Sequence, residues 1–540
     1  MLSTIHMNQS QFVKQIQNPA TYGYKISKNI KMIQTHISFV VLIEDYAFKI
    51  KKPVNFGFLD FSTLEKRKFF CEQEIQLNKR LCPEIYDSVV SFKEKNDGSL
   101  TVNGNGEIVE YAVKMHRFDQ HKLMNELLQK NKISKDQVDE ITNILVRFYD
   151  EQSPSKTINE YGSVASVKQN IDENFEQTAE VVDVTITKKE YDLIKQLNTD
   201  FFKNHQSMLK HRKKQGFIFD CHGDLHSGNV VVDEGNVCIF DCIEFNKRFR
   251  YIDSASDIGF LAMDLDVHNH PFLSSYLILQ YVKKSNDESL FDVLNFYKSY
   301  RAYVRGKVIG FQLSDKQISQ HKKRSIIENA QRYFALAEYY ARLFHLQYNK
   351  DQPVLFLISG LTGTGKSTLA SKIVVDYHAT RLNTDIIRKD LAGIDRFERH
   401  HDEPDTGLYA PERVKETYEK LLDEGRKVLQ QNESVVLDAT FQKRNHREKA
   451  KKIAVKNNAL FVPIECICPE KIVAQWLQNR LKQKTVSDGR WEIYQKQKQT
   501  FESFSNSKNH IVFDMANDDY EYRLNKFKEI LSWINHEDKP

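Results

Sequence analysis

Hydrophobic and polar positions alternate most clearly around a polar loop in residues 219–241, FDCHGDLHSGNVVVDEGNVCIFD. Two short apolar runs, 230–232 and 237–240, flank the turn residues 233–236 (DEGN). Short β-branched runs separated by Asp, Gly and Asn are typical of a β-hairpin. The pattern therefore predicts that Asp224 and Asn229 are presented from one loop and that Asp241 returns to the same end of the hairpin.

Upstream, residues 37–50 (ISFVVLIEDYAFKI) predict two strands joined at Glu44-Asp45. Lys49 lies in the second of these strands, next to aromatic residues. On the inner face of a sheet, its ammonium group would reach the α- and β-phosphates of a nucleotide. The alternative is an outward-facing lysine beside Lys51 and Lys52, without such a role.

A helix is predicted to begin at residues 62–65 (STLE), which match a capping box. Glu74 shares one face of this helix with apolar residues at helical spacing, namely Phe70, Leu77 and Leu81. A carboxylate on an apolar face needs a cation, and Lys49 is the natural partner. We therefore expect a Lys49–Glu74 ion pair, with Glu72 as the alternative if the helix has a different phase.

The helical pattern of the central region breaks at residues 348–353 (YNKDQP), which predicts a domain boundary. A continuous apolar strand at 354–358 then runs into residues 360–367 (GLTGTGKS). This is a Walker A loop, in which backbone N–H groups wrap phosphates, Lys366 reaches the β- and γ-phosphates, and the Ser367 hydroxyl ligates magnesium. The candidate nucleotide-binding residues of this stretch are Gly360, Gly363, Thr364, Gly365, Lys366, Ser367 and Thr368.

Two polar residues after the next predicted strand are candidates for the acceptor side. Asp385 stands in the first turn of a predicted helix that Thr384 would cap, and Arg388 follows on the same face. The carboxylate could take a hydroxyl proton, and the guanidinium could bind an anionic acceptor or the transferring phosphoryl group. The alternative is an ordinary ion pair at the start of a helix.

Three further residues complete the predicted P-loop site. Asp438 ends the apolar strand 434–438 (SVVLD), as in a Walker B motif that would hold magnesium through water. Arg480 precedes the polar loop 485–490 (TVSDGR), which ends at Arg490 and resembles the lid of small P-loop kinases. These two arginines are candidate phosphate clamps.

Composition limits the classes of protein to consider. A chain of 540 residues is too long for one core, so about two to four domains are expected. The net charge of +5, from 78 basic and 73 acidic residues, does not by itself point to a polyanionic partner, and a nucleic-acid end stays possible for the P-loop half. No apolar run approaches the roughly 18 residues of a membrane helix, and the first residues lack a signal pattern. We therefore expect a cytoplasmic protein without a membrane partner.

The seven cysteines form no CxxC pair. Cys238, Cys242, Cys466 and Cys468 fall in apolar, strand-like runs. The sequence therefore predicts reduced core thiols rather than zinc ligands or disulfides.

The loop 222–229 (HGDLHSGN) resembles the HGDxHxxN loop of the aminoglycoside phosphotransferase and choline kinase branch, and its Asp-x4-Asn spacing matches the protein-kinase catalytic loop. The resemblance implies that Asp224 is the base and that Asn229 and Asp241 bind magnesium. It also implies that Asp257 ties the loop to the helical lobe. Glu244 and Asn246 are placed to line an acceptor pocket.

The small lobe shows two further features. The turn at 35–38 (THIS) has no glycine, whereas many phosphotransferases have a Gly-rich turn over the phosphates. Residues 108–115 (IVEYAVKM) are expected to form an inner strand and the crossover between lobes, where backbone groups of residues 110–113 would bond adenine.

Residues 354–530 resemble the P-loop kinase group that includes gluconate kinase, zeta toxin and phage polynucleotide kinase. Together the two halves resemble a bacterial family that fuses an aminoglycoside phosphotransferase-like domain to such a P-loop domain. The expected fold is an α+β two-lobed protein-kinase-like domain followed by an α/β P-loop domain with a mostly parallel sheet. The expected domains are 1–347, with a small lobe to about residue 113 and a helical large lobe, a linker at 348–353, and 354–540.

The sequence thus predicts a bifunctional phosphotransferase that uses ATP and Mg²⁺ at two separate sites, each with a small-molecule hydroxyl acceptor. In one alternative, the P-loop half phosphorylates the 5′-hydroxyl of a nucleic acid. In a second, the protein is an ATP-binding regulatory switch with a weak or inactive first domain. In a third, the first domain is a protein kinase. Neither the acceptors nor the oligomeric state follow from the sequence.

Overall fold

The computed structural model describes residues 8–25, 30–315, 318–398, 406–481, 488–504 and 509–535. Its residues form two compact units, each assembled from separate stretches of chain. The first contains the described residues up to Glu173, together with Gln206–Asp264 and Gln280–Asp287. The second contains Asn174–His205, Leu265–Leu279 and the described residues from Glu288 onward.

The strands of the described residues are β1 (Lys31–Gln34), β2 (Ser38–Ile43), β3 (Tyr46–Lys51), β4 (Tyr86–Glu94), β5 (Leu100–Val102), β6 (Glu107–His116), β7 (Ile218–Asp220), β8 (Val230–Asp233), β9 (Asn236–Ile239), β10 (Tyr251–Asp253), β11 (Val354–Ser359), β12 (Thr380–Asn383), β13 (Val435–Asp438), β14 (Leu460–Ile467) and β15 (Ile511–Asp514).

The α-helices of the described residues are α1 (Gln9–Gln15), α2 (Leu64–Asn78), α3 (Met124–Gln129), α4 (Lys135–Asp150), α5 (Lys156–Glu160), α6 (Val164–Thr178), α7 (Lys188–Asn204), α8 (Ser207–Gln215), α9 (Lys247–Arg250), α10 (Ser254–Val267), α11 (Pro271–Ser285), α12 (Leu290–Gly310), α13 (Gln320–Asn349), α14 (Lys366–Tyr377), α15 (Thr384–Ala392), α16 (Pro411–Gln430), α17 (Arg444–Lys456), α18 (Glu470–Leu481), α19 (Trp491–Thr500) and α20 (Tyr520–Asn535).

The first unit contains a six-stranded antiparallel sheet in the order β1-β2-β3-β6-β4-β5. The predicted strand pair is confirmed as β2 and β3, and Glu44 takes a left-handed conformation in the turn between them. Lys49 on β3 lies opposite Val40 on one side and Val113 on the other. Since β3 is an inner strand, Lys49 is held by neighbours on both sides.

Helix α2 follows this sheet and carries Glu74. Its N-cap is Thr63, whose hydroxyl accepts from Lys66 N at 3.3 Å, so the helix begins one residue later than the predicted capping box requires. Glu74 and Leu77 are buried on the predicted face. The helix ends at Asn78, so Leu81 lies beyond it.

The predicted lobe crossover at residues 110–113 is wrong. These residues lie inside β6, which pairs with β3 and β4 and continues to His116. These residues are therefore part of the sheet rather than a segment between lobes, and Tyr111 N donates to the Glu110 carboxylate at 2.9 Å. The Glu110 side chain is also engaged, because Arg67 Nε donates to both of its carboxylate oxygens at 2.8 and 2.9 Å.

The predicted hairpin after the polar loop is confirmed as β8 and β9. Glu234 and Gly235 both have positive φ, 46° and 91°, as a tight hairpin turn requires. A second antiparallel pair, β7 with β10, lies on either side of this segment in the chain. These two strand pairs hold the two ends of the loop formed by residues 221–229.

The second unit contains a five-stranded, all-parallel sheet in the order β12-β13-β11-β14-β15. Helices α14 to α20 connect or follow its strands, and the residues of β11 are fully buried, as expected for the centre of a parallel sheet. Leu355, Leu357, Leu421 and Leu437 belong to one core cluster in this unit. The predicted α/β P-loop domain is therefore present in the C-terminal part of the chain.

The helix that precedes this sheet, α13, belongs to the same compact unit as the sheet. Tyr339 on α13 donates to Asp376 on α14 at 2.8 Å, and Asn295 on α12 donates to the Asp376 carbonyl at 2.9 Å. The sequence assigned α12 and α13 to the first domain. The boundary at 348–353 stays a prediction about the folding units.

The expectation of reduced core thiols is wrong for one pair. Cys82 and Cys238 form a disulfide across 156 residues of sequence, with their Cα atoms 5.0 Å apart. Cys242, Cys466 and Cys468 remain thiols, as predicted. Of the helices in the described ranges, none combines the length and the apolar character needed to cross a bilayer.

Candidate functional sites

The polar loop between β7 and β8 brings Asp224 and Asn229 together. The Asn229 amide nitrogen donates to Asp224 Oδ2 at 3.3 Å and to the Asp224 carbonyl at 3.0 Å. About one third of the Asp224 side chain is exposed, 35%, so it is accessible to a substrate. Because the side-chain amide nitrogen is used in this way, the side-chain oxygen Oδ1 of Asn229 is the atom available as a metal ligand.

Helix α10 holds the backbone of this loop. The buried carboxylate of Asp257 accepts from His222 N at 2.9 Å and from Gly223 N at 3.0 Å. Asp264, about two turns further along the same face of the helix, accepts from Ser227 N at 2.8 Å. Asp257 thus has the tethering position that the family resemblance implies. Asp264 was not found from the sequence, because a carboxylate in an apolar helix carries no sign of its partner.

His222 is a neutral, buried ring within the loop. Its Nδ1 accepts from Asp224 N at 3.2 Å, and its Nε2 lies 2.8 Å from the Phe240 carbonyl. Burial lowers the pKa of His222, with Asp257 opposing the shift. A neutral ring with the proton on Nε2 satisfies both bonds. His222 therefore links Phe240, the residue before Asp241, to Asp224, the candidate base.

Lys49, Glu74 and Asp241 form one ionic cluster. Lys49 Nζ lies 2.8 Å from Glu74 Oε1 and 2.5 Å from Asp241 Oδ1. Burial would lower the pKa of Lys49, but the carboxylates of Asp241 and Glu74 outweigh it and hold that pKa well above its usual range. The predicted Lys49–Glu74 pair is present. Glu72 is exposed and lies 3.8 Å from Lys68, so the alternative does not apply.

Lys51 extends this cluster and was missed as a functional candidate. Its Nζ donates to Glu74 Oε2 at 2.7 Å and also contacts Glu244, while only 1% of the side chain is exposed. Side chains two residues apart in a strand share a face, so an inward Lys49 already required an inward Lys51. Glu244 is therefore paired with Lys51 and is not free to line an acceptor pocket. Asn246 donates to the Phe58 carbonyl at 3.0 Å.

Asp241 combines a carboxylate that could bind a metal with an unusual backbone conformation. It takes a left-handed conformation with φ 64°, which is unusual for a residue other than glycine. Its N–H donates to the Tyr86 hydroxyl at 3.1 Å. Residues in such conformations cluster at functional sites because the surrounding structure must hold them there. Its carboxylate and the Asn229 carbonyl oxygen fit the oxygen ligands that Mg²⁺ prefers.

The Walker A loop runs from β11 into α14 with the conformation that its glycines allow. Gly360 and Gly365 have φ values of 140° and 91°. A Cβ on Gly360 would lie 2.4 Å from the Cys466 carbonyl, so no larger residue fits there. Lys366 Nζ donates to the Leu361 carbonyl at 2.7 Å and thus lies across the loop. Thr364 Oγ1 donates to the same carbonyl at 2.9 Å.

Asp438 lies beside this loop because β13 is the neighbour of β11. Its Oδ2 accepts from Ser367 Oγ at 2.9 Å, which joins the two predicted metal-site residues directly. The same oxygen accepts from Asn383 Nδ2 at 2.7 Å and from Arg381 Nη2 at 2.5 Å. Burial opposes ionisation, but Arg381 and Lys366 outweigh it and lower the pKa of Asp438. A Ser hydroxyl and an ionised carboxylate at a phosphate-binding loop fit Mg²⁺.

Asp385 and Arg388 form an ion pair at the start of α15. Arg388 Nη1 lies 2.8 Å from Asp385 Oδ1, and its guanidinium stacks on the Tyr409 ring at 4.7 Å. Arg388 Nε is buried without a hydrogen-bond partner in the described part of the protein. The helix N-cap is Asn383 rather than the predicted Thr384, because Asn383 Oδ1 accepts from Asp385 N at 2.8 Å.

The two lid arginines are placed differently. Arg480, near the end of α18, is half-buried, and burial lowers its pKa while Asp385 and Asp438 oppose the shift. Arg490 is the N-cap of α19 and lies 3.8 Å from Glu492. Residues 485–487 of the predicted lid lie outside the described residues. Asp488 is described, and its carboxylate lies 3.3 Å from Lys389 Nζ.

Comparison with known proteins agrees with a P-loop domain in the C-terminal part. Residues 355–518 match the family model described as an AAA domain. Over most of its length the chain is similar to an uncharacterized protein of Mycobacterium tuberculosis, with 29% identity over 445 residues, 82% of this chain and 85% of the relative. An uncharacterized protein of Mycobacterium bovis matches with the same identity and coverage.

Several solved kinase structures are also similar to parts of the chain. A gluconokinase from Sinorhizobium meliloti is 18% identical, covers 35% of this chain and 98% of its own, and gives a TM-score of 0.25. A choline/ethanolamine kinase family protein from Mesorhizobium loti is 11% identical, covers 61% and 98%, and gives a TM-score of 0.35. These TM-scores are low, so the function proposed below rests on the geometry of the two sites and on the family match.

Proposed function

We propose that this protein is an ATP-dependent phosphotransferase with two nucleotide sites, each of which transfers the γ-phosphoryl group to a hydroxyl acceptor. The observation that carries the proposal is the 2.9 Å bond from Ser367 to Asp438 at the end of a glycine-rich loop. In P-loop enzymes, the serine in this position binds the magnesium ion beside the phosphates, and the aspartate supports the same ion. The AAA domain match over residues 355–518 supports a nucleotide at this loop.

In the first site, Asp224 is the candidate base. Its carboxylate is partly exposed, is positioned by Asn229, and belongs to a loop whose backbone Asp257 holds. A carboxylate so fixed orients an acceptor hydroxyl and takes its proton as the oxygen bonds to phosphorus. Lys49, kept charged by its carboxylate neighbours, would bind the α- and β-phosphates.

In the second site, Lys366 and the backbone N–H groups of the Walker A loop would bind the β- and γ-phosphates. Asp385 is the candidate base for the acceptor. Arg388 bonds Asp385 at 2.8 Å, and its Nε has no hydrogen-bond partner among the described residues. It would bind an anionic group of the acceptor or the transferred phosphoryl group. Arg480 and Arg490 are the candidate clamps on the phosphates.

Mg²⁺, when bound at either site, would neutralise the triphosphate charge that develops during transfer. In the first site, Asn229 and Asp241 have the oxygen ligands for it. In the second, Ser367 and Asp438 have them. The chain's own contribution is positioning and charge compensation, which is the main requirement for phosphoryl transfer.

The test is a screen of hydroxyl acceptors with radiolabelled ATP, using the full chain and two variants, Asp224→Ala and Lys366→Ala. We expect each substitution to abolish only its own half's transfer. Loss of both activities from either change would contradict separate sites. Labelled oligonucleotide 5′ ends and an added protein are included as acceptors, so that a nucleic-acid kinase or a protein kinase would be recognised by its product.

A matched control is available for each variant. Asp97 is an exposed turn carboxylate that accepts from Ser99 in the first unit, so Asp97→Ala removes a carboxylate without touching the loop. Lys420 is an exposed lysine paired with Glu424 in the second unit. Both control variants should retain both activities. Binding of ATP without transfer to any acceptor would instead favour a regulatory switch.

A further inference from the structure

The disulfide between Cys82 and Cys238 joins the two segments that hold the partners of Lys49. Cys82 follows helix α2, which carries Glu74, and its N–H donates to the Asn78 carbonyl at 2.9 Å. Cys238 lies in β9, three residues before Asp241. A bond between these cysteines therefore fixes the distance between the Glu74 helix and the Asp241 strand.

The reduced protein would keep the fold around this pair. The Asn78 side-chain oxygen accepts from Cys242 N at 2.8 Å, which ties the same helix to the same segment without a covalent bond. Cys82, Ile85, Tyr86 and Val231 also share one buried cluster, against which Cys238 packs. Oxidation thus changes how tightly two already neighbouring segments are held, not whether they meet.

We propose that Cys82 and Cys238 are a reversible redox modification site that controls how tightly the first site binds nucleotide. The inference rests on the proposed function, because it assumes that Lys49 and Asp241 bind a triphosphate. The bonded form holds Glu74 and Asp241 in the positions that orient Lys49. In the dithiol form, Glu74 and Asp241 can separate. The free energy needed to order them again then reduces the affinity for nucleotide.

The solvent exposure of the two cysteines determines which of them reacts first. Cys82 is fully buried, whereas Cys238 is partly exposed at the strand surface. A small-molecule disulfide is therefore attacked by the Cys238 thiolate, which forms a mixed disulfide and releases one small thiolate. The Cys82 sulfur then attacks Cys238 Sγ, the protein disulfide forms, and the second small thiolate leaves. Two electrons pass to the small disulfide, and the protons of the two cysteines end on the two released thiols.

Glu84 completes the local chemistry. One of its carboxylate oxygens lies within 4.8 Å of both sulfur atoms, and its side chain is exposed. It can take the Cys82 proton, which then reaches the released small thiolate through water. The same three groups could instead hold a divalent cation, and the experiment must separate these outcomes.

The first measurement is the bond itself. The full chain is equilibrated in buffers of reduced and oxidised glutathione, the remaining thiols are alkylated, and the peptides are identified by mass spectrometry. We expect a linked Cys82–Cys238 peptide in the oxidised buffer, with five of the seven cysteines alkylated, and all seven after dithiothreitol. Cys82→Ser and Cys238→Ser should lose the linked peptide, and Cys468→Ser, at a separate surface position, should retain it.

The second measurement is ATP affinity at the first site, in a Lys366→Ala background that removes the other site. We expect the oxidised protein to bind ATP roughly fivefold more tightly than the reduced protein, at the low end of coupling between sites. Cys238→Ser should bind like the reduced form in both buffers. Cys468→Ser should show the full redox dependence.

Three results would overturn the inference. Equal affinities of the oxidised and reduced proteins would exclude control of binding while leaving the proposed function intact. If the Cys82–Cys238 disulfide formed but the first site bound no ATP in either redox state, both the redox control and the proposed function of that site would be contradicted. One equivalent of zinc in the purified protein, lost in Cys238→Ser, would assign these residues to a metal site instead.

Discussion

Lys51 and Glu74 form a fully buried ion pair, with Lys51 Nζ 2.7 Å from Glu74 Oε2. The other oxygen of the same carboxylate lies 2.8 Å from Lys49 Nζ. Two lysines thus share one carboxylate, and they lower its pKa against the opposing effect of burial. If Lys49 turns toward a phosphate, Glu74 still has a cation beside it, so the buried charge stays compensated.

Replacing Lys51 tests this arrangement. Lys51→Met leaves Glu74 and Glu244 without their buried partner, and removing one member of a buried pair costs about 3–5 kcal/mol. We expect the free energy of unfolding of the first unit to fall by that amount in urea titrations. Lys68→Met is the control, because Lys68 belongs to an exposed pair with Glu72 at 3.8 Å and should change the free energy by less than about 1 kcal/mol. Similar losses in the two variants would contradict the role of Lys51.

Asp257 should affect the chemical step more than nucleotide binding. Asp257→Ala removes both acceptors of the His222 and Gly223 amides, so the loop carrying Asp224 would shift. A displacement of about 1 Å at a reacting group costs on the order of 100-fold in rate. We expect a fall in kcat of that size with little change in ATP affinity. An equal fall in ATP affinity would mean that Asp257 supports the whole unit rather than the loop.

Local patterns in the sequence predicted much of the fold. The hairpin after residue 229 was found because β-branched runs flank a DEGN turn, and the Lys49–Glu74 pair followed from a carboxylate on an apolar helix face. The Walker A loop and Asp438 were found because their residue types are fixed by phosphate and metal chemistry. In each case the signal is a short run of neighbouring residues.

Contacts between distant residues could not be predicted in this way. Cys82 and Cys238 meet only because helix α2 and strand β9 are neighbours in the fold. Arg381 bonds Asp438 because β12 pairs with β13, and the register Asn383↔Asp438 was not known before the sheet order. The crossover was misplaced for a related reason. Nothing in residues 110–113 shows that β6 continues to His116.

Arg388 should serve the acceptor of the second site rather than the nucleotide. Its guanidinium stacks on Tyr409 and bonds Asp385, and a lysine ammonium has neither the planar face nor the fixed fork of donors to do both. We expect Arg388→Lys to lower kcat/KM for the acceptor by roughly 10- to 100-fold, the cost of one charge-assisted contact. The KM for ATP should stay nearly constant.

The control for this substitution is Arg396→Lys. Arg396 lies beyond the end of α15 and makes an exposed ion pair with Asp390 at 2.8 Å in the second unit. It should leave both kinetic constants unchanged. If Arg388→Lys raised the KM for ATP instead, the arginine would belong to the nucleotide site and the acceptor assignment would be wrong.

Nucleotide binding at the second site should weaken as pH rises toward 10. Burial lowers the pKa of Lys366 below its ordinary value of 10.5, and Asp438 only partly opposes the shift. Phosphate binds the ammonium form, so its full contribution is present below this lowered pKa and is lost as pH rises through it. Complete loss of the ammonium proton would remove roughly 10- to 100-fold in affinity, the worth of one charge-assisted hydrogen bond. ATP does not titrate in this range, because the second phosphate pKa is near 6.

The measurement is ATP affinity by calorimetry from pH 7 to 10. Lys366→Arg stays charged throughout, so its affinity should remain flat over the whole range. The first site cannot produce the same profile, because the pKa of Lys49 is held well above 10.5 by its carboxylate neighbours and this lysine stays protonated. A decline of equal size in Lys366→Arg would show that a different group titrates, since the arginine cannot lose its proton there.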